Sequence, residues 1–107
     1  MKLFNFIKQQ SKTDFSPEQT IRLLFDYIPE FYKKHRQFTD CVEFLEHREW
    51  ELSLDSLIEL ADETGHYFAE DFWLGLADVA DKMNLNDKAN YCRNQIDRNI
   101  EDIKSKT

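Results

Sequence analysis

The sequence predicts an all-α protein: a single-domain bundle of about five antiparallel helices, paired as helical hairpins. Three observations lead there. Only two Gly and two Pro occur in 107 residues, and strands need turns that draw on such residues, so long helices with short polar links are favoured. Apolar residues recur at spacings of three and four along most of the chain, the period of a helix with one buried face. The length allows one core and not two, and a hydrophobic share of 41% that includes nine Phe and two Trp can fill it.

The elements follow in order. Residues 1–15 carry Leu3, Phe4, Phe6 and Ile7 and then a polar stretch, which suits a short, loosely packed helix or an arm. The first firm helix opens at Ser16-Pro17-Glu18-Gln19. Serine at the N-cap, proline at the first helical position and glutamine at the third make a capping box. Ile21, Leu24, Phe25, Ile28, Phe31 and Tyr32 then share one face, with Pro29 kinking or breaking the helix and a short continuation to about Arg36. Lys33-Lys34-His35-Arg36 fits a helix C-terminus, where the dipole favours cations. Thr39 or Asp40 is placed to cap a second helix with Cys41, Val42 and Leu45 inside. A third starts near Glu49, with Trp50, Leu54, Leu57, Ile58 and Ala61 in register, and ends at Gly65 in the left-handed conformation. A fourth runs from about Ala69, with Phe72, Leu76, Val79, Ala80 and Met83 on its inner face. Gly75 sits in mid-helix and points to a close approach by a neighbouring helix. Asn86 caps a fifth, with the stripe Cys92, Ile96, Ile100 and Ile103, and fraying is expected from Lys104 onward.

Charge is uneven. Residues 38–82 hold thirteen acids against Arg48 and Lys82. Such a centre repels phosphate backbones, which argues against direct nucleic-acid binding, and it attracts basic partners by electrostatic steering. The N-terminal apolar run is broken by Asn5 and stops at Lys8, too short for a signal sequence or a membrane span. Cys41 and Cys92 stand far apart, so neither a zinc site nor a disulfide framework is indicated. These features read as a cytoplasmic protein without membrane association.

Nothing in the pattern points to catalysis. His35, His47 and His66 form no metal-binding pair, the two Gly stand alone so no phosphate loop exists, and both Cys lie on apolar stripes. No enzyme activity, cofactor or metal is expected. A carboxylate-based enzyme is the remaining catalytic reading, and it requires a deep pocket with convergent acids.

On a helical wheel Glu51, Asp55, Glu59, Asp62 and Glu63 gather on one flank of the third helix. Like charges at i,i+4 disfavour an isolated helix by a few tenths of a kcal/mol each, so solubility alone is a poor reason for the arrangement. Glu70, Asp71, Asp78 and Asp81 continue it on the fourth helix. Between them lies Gly65-His66-Tyr67-Phe68, with Trp73 displaced from the centre of the core stripe. Acids around exposed aromatics match the anatomy of a protein interface. The candidate partner-binding residues are Asp55, Glu59, Asp62, Glu63, Tyr67, Glu70, Asp71 and Asp78.

The stretch Phe44-Leu45-Glu46-His47-Arg48-Glu49-Trp50-Glu51-Leu52-Ser53-Leu54-Asp55-Ser56-Leu57 resembles a segment of the MafI-like immunity proteins of bacterial polymorphic toxin systems. In these a helix ends at a Leu-Glu-His step and an acidic or aromatic pair leads into a Leu-Ala-Leu-Glu-like helix. Here Ser53 replaces the Ala, and the likeness covers roughly residues 40–92. The resemblance implies a contact-dependent growth inhibition immunity protein that binds and neutralises a cognate toxin domain, a basic nuclease. The alternative is a tetratricopeptide-like adaptor that presents helical hairpins to a peptide or protein.

Overall fold

The computed structural model describes residues 15–106, with side chains described through residue 97. The expected N-terminal arm therefore lies outside the described residues, apart from Phe15. Those residues form five α-helices and no strand.

Helix α1 spans Pro17–Leu24. The capping box is closed in both directions. Gln19 N donates to Ser16 Oγ at 3.1 Å, and Ser16 N donates to Gln19 Oε1 at 2.8 Å. After Leu24 the chain tightens into a 3-10 turn at Phe25–Tyr27, extends through Ile28 and Pro29, and turns again at Glu30–Tyr32. Proline cannot continue a helix and pushes its predecessor into extended geometry; Ile28 has φ −91° and ψ 120°. That step resets the helical register. Phe31, expected on the inner face, is 67% exposed in consequence, whereas Ile21, Leu24 and Ile28 are buried.

Helix α2 spans Arg36–Glu46, so Lys33-Lys34-His35-Arg36 lead into a helix instead of closing one. His35 is its N-cap and contributes no side-chain hydrogen bond. Cations at a helix N-terminus are disfavoured, and Asp40 offsets this by pairing with Arg36 at 3.4 Å. Thr39, like Asp40, lies inside α2, where its hydroxyl donates to the Arg36 carbonyl at 3.0 Å. A short turn with Arg48 at φ 58° leads to helix α3, Trp50–Thr64. Gly65 closes α3 at φ 64°, the left-handed conformation that a residue without Cβ adopts at least cost. Helix α4 spans Glu70–Lys82 after an N-cap at Ala69, and helix α5 spans Asn86–Lys106, continuing past Lys104.

Helices α2 and α3 form one hairpin, α4 and α5 a second, and α1 packs across α4. This makes α4 the central element. From Phe72 to Ala80 every residue is buried except Leu74, so the single apolar stripe expected for this helix is widened to nearly its whole circumference. Gly75 marks where α1 crosses: a Cβ there would stand 2.7 Å from Leu24 Cδ2. Phe68 stacks on Phe72 with ring centroids 4.1 Å apart, and Trp73 meets Phe72 edge-on. Trp73, at 4% exposure, belongs to the core and not to a displaced surface position.

The buried face of α3 is Ser53, Leu54, Ser56, Leu57, Leu60 and Ala61, while Trp50 and Ile58 are only half-buried. The helix is rotated toward its serines because these small residues let α2 approach closely. Ser53 repays its burial with a hydrogen bond, its hydroxyl donating to the Cys41 carbonyl at 3.0 Å.

Candidate functional site: an acidic helix face with an aromatic end

With Ser53, Ser56 and Leu60 turned inward, the opposite arc of α3 is left to solvent. At 100° per residue, Glu51, Leu52, Asp55, Glu59, Asp62 and Glu63 fall within roughly 120° of one another. Asp55 is half-buried and the other five are exposed, Leu52 by 45%. No basic residue occurs on α3 itself.

Four of these carboxylates reach to a neighbouring helix, three to α5 and one to α2. Lys88 of α5 spans the gap to α3, its Nζ standing 2.6 Å from Glu51 and 2.9 Å from Asp55. Partial burial pulls the Lys88 pKa down, but the two carboxylates outweigh it and the ammonium is held more firmly than an ordinary lysine. Tyr91, one turn further along α5, donates to Asp62 Oδ2 at 2.7 Å. Glu63 accepts from Gln37 Nε2 of α2. Glu59, at the centre of the arc, makes no ion pair among the described residues.

The remaining candidates divide. Tyr67 is 51% exposed in the loop after α3, and Glu70 is exposed in the first turn of α4. Asp71 is half-buried and accepts from Tyr27 OH at 3.4 Å. Burial, and then the Asp71 charge, push the Tyr27 phenol well above its usual pKa. Asp78 is not on the surface at all. It is 4% exposed and lies 3.1 Å from Lys82 Nζ, which also donates to the Phe15 carbonyl at 2.5 Å. The physical reason is the central position of α4, whose polar flank faces the chain entering α1 rather than solvent. Asp78 and Asp71 therefore act in packing, and the exterior set contracts to Glu59, Asp62, Glu63, Tyr67 and Glu70, with Asp55 at its edge.

The structure adds an aromatic group that periodicity concealed. Phe31 packs against Tyr32 with centroids 4.4 Å apart, and Tyr32 meets both His35 and His66 edge-on at 5.4 Å. His66 continues to Phe68 of the core. Exposed Phe31 and Tyr67 thus stand at the same end of α3, tied inward through the Tyr32–His66 contact. The signal that pointed to Phe31 was Pro29, which breaks the register that would have buried it.

A cleft of about 340 Å³ opens between α3 and α5, lined by Asp55, Ile58, Asp62, Asp87, Lys88 and Tyr91. Among the described residues no group of three or more His, Cys, Asp or Glu is arranged to hold a metal ion. Cys41 and Cys92 are buried free thiols. Burial pushes their pKa values up to about 11 and about 12, so both stay protonated at neutral pH and are poor nucleophiles. No helix of the described residues is long and apolar enough to cross a membrane.

No family model, curated protein or solved structure matches this chain.

The chemistry open to the site is therefore set by its own groups. Exposed carboxylates on a rigid helix, with large aromatics at one end and Leu52 at the other, suit complementary contact with a positively charged surface.

Proposed function

We propose that this protein is an immunity protein, which binds and neutralises a basic toxin domain of a bacterial polymorphic toxin system. The observation that carries the reading is the outward arc of α3, whose exposed carboxylates are uninterrupted by any cation on that helix and end beside Phe31 and Tyr67. A nuclease needs a positive surface to hold phosphate, and an acidic helix occupies such a surface in place of nucleic acid. The aromatics supply the anchors, the most energetic class of interface contact. The carboxylates supply rate and selectivity. The cytoplasm is the compartment in which such a nuclease does its damage.

The test is protection. Where a toxin gene lies beside its own, the chain is co-expressed with the C-terminal domain of that toxin and growth is followed; a neighbourhood without such a gene counts against the reading. Wild type is expected to restore growth, and Glu59→Lys with Glu63→Lys to lose protection while keeping its helical circular dichroism. Full protection by the charge-reversed protein would remove the α3 face from the account.

A second reading, a helical adaptor, is favoured by the pairing of the helices. The first helices of the two hairpins begin at Arg36 and Glu70, close to the roughly 34-residue period of tetratricopeptide repeats. It predicts tight binding of an extended basic peptide, where the immunity reading requires a folded domain.

A further inference from the structure

On the side of α4 opposite Phe72, Leu76 and Val79, a leucine stands in a frame of acids. At 100° per residue Leu74 has Glu70 and Asp81 on one side and Asp71 and Asp78 on the other, all within roughly 100° of arc. Leu74 is half-buried, the one residue from Phe72 to Ala80 that is not fully so. The frame lies between two neighbours. On one side is α1, whose Leu24 meets Gly75 and whose following turn places Tyr27 on Asp71. On the other is α5, whose Arg93 pairs with Asp81. At the C-terminal end of the frame Lys82 holds the chain that enters α1, donating to the Phe15 carbonyl at 2.5 Å.

Residues 1–14 therefore join the described chain at this flank, and their sequence carries the complementary pattern. At the same spacing Leu3, Phe4, Phe6 and Ile7 share a face of roughly 160°, and Lys2 and Lys8 border it, one on either side. Lys12 is a third cation and Asp14 the single acid of the segment. An apolar stripe rimmed by cations thus corresponds to an apolar centre rimmed by carboxylates. The lengths agree as well: the 13 residues of α4 make about 20 Å of helix, and residues 1–14 at the same rise cover about 21 Å.

We propose that residues 1–14 dock in cis along this flank of α4, as a strap running from Lys82 toward Glu70. Its apolar face covers Leu74, and Lys2 and Lys8 reach the carboxylates on the two sides with their stems laid over apolar surface. Attachment at Phe15 gives the strap an effective concentration on the order of mM at the flank, so modest contacts suffice to seat it. The contact does not depend on the identity of any partner. Its consequence is that the α4 carboxylates are neutralised from within, and a basic macromolecule meets the α3 arc instead.

The α3 arc is the rival seat for a basic segment, and the experiment separates the two. The full chain carrying Asn5→Cys is labelled with 15N and modified with a nitroxide. Cys41 and Cys92 are buried, which leaves position 5 as the reactive thiol, and position 5 lies opposite the apolar face of the segment. Amide signals of Leu74, Asp78 and Asp81 should lose most of their intensity, while those of Glu59 and Glu63 keep theirs. Phe4→Ser with Phe6→Ser, and separately Lys2→Glu with Lys8→Glu, should each restore the lost signals without touching the described core. Loss centred on Glu59 and Glu63, or no localised loss, would overturn the proposal. So would loss that persists in either variant pair. Nitroxide-bearing chains mixed with 15N-labelled chains that lack the nitroxide provide the remaining control: the same loss in that mixture would seat the strap on a second copy and overturn docking in cis.

Discussion

Gly75 and Leu24 offer a prediction whose size follows from geometry. An alanine Cβ at 75 would stand 2.7 Å from Leu24 Cδ2, 3.0 Å from Cδ1 and 3.2 Å from Cγ. Carbon atoms pack best at about 3.5–4.0 Å, so one partner must retreat by nearly 1 Å. Leu24 has 0% exposure and sits in the core, where close packing means it moves only by shifting its neighbours. Overpacking of this kind costs about 1–3 kcal/mol, and replacing a mid-helix glycine by alanine returns about 1 kcal/mol. Gly75→Ala alone should therefore be neutral to destabilising by about 2 kcal/mol. Leu24→Ala should cost about 2–5 kcal/mol through the lost burial and the cavity. Combined, the clash disappears and the helical gain of alanine remains, so Gly75→Ala should stabilise the Leu24→Ala protein by about 1 kcal/mol. Urea unfolding of the four proteins, followed by circular dichroism, measures the cycle. A coupling of about 1–3 kcal/mol is expected between residues in contact. Additivity within about 0.5 kcal/mol would refute the crossing of α1 and α4 at this point.

Further outcomes follow from the same structure. Ser16→Ala removes one half of the capping box and should destabilise the fold by about 1 kcal/mol, read by the same unfolding assay. Cys41 and Cys92 should resist a thiol-specific chromogenic reagent at pH 8 in the native protein and react fully in denaturant, because burial holds their pKa values near 11 and 12. The His47 ring lies 2.9 Å from the Glu43 carbonyl, and that hydrogen bond raises its pKa above 6.5. A group bound more tightly to its proton in the folded state stabilises the fold below its unfolded pKa. That contribution is lost as pH rises through the folded value. Stability of the wild type should accordingly decline slightly from pH 6 toward pH 8, and His47→Gln should flatten that slope.

The local grammar of the sequence carried much of the fold. Ser16 and Gln19, Gly65, and the starts near Glu49, Ala69 and Asn86 are decided by nearest neighbours: caps, a left-handed residue and the onset of apolar periodicity. What local patterns could not carry was tertiary. Phe31 lost its inner position because two extended residues at Ile28 and Pro29 shifted the phase of everything after them. The serines of α3 became core residues because a neighbouring carbonyl was available to Ser53. Asp78 looked like part of an acidic surface because wheel position says nothing about what covers a wheel. Its burial follows from α4 being wrapped by α1, α3 and α5. A trace of this was present in the sequence, since Asp78 has Ala77, Val79 and Ala80 around it and Lys82 four residues on. The α3 arc was readable because the helix lies at the edge of the bundle, where periodicity and exposure coincide. The opposing residues Asp87, Lys88 and Tyr91 were not, since α5 meets that arc only through folding.

The affinity of this chain for a toxin domain against which it protects in co-expression, measured by calorimetry at about 50 and about 200 mM salt, addresses the docking surface most directly. Wild type should bind tightly and weaken as salt screens the contact. Glu59→Lys with Glu63→Lys should bind at least 10-fold more weakly and lose most of that salt dependence, whereas Asp26→Lys, an exposed reversal outside the α3 arc, should behave as wild type. Equal losses from both reversals would reduce the interaction to net charge, and no loss from either would show that α3 does not face the partner.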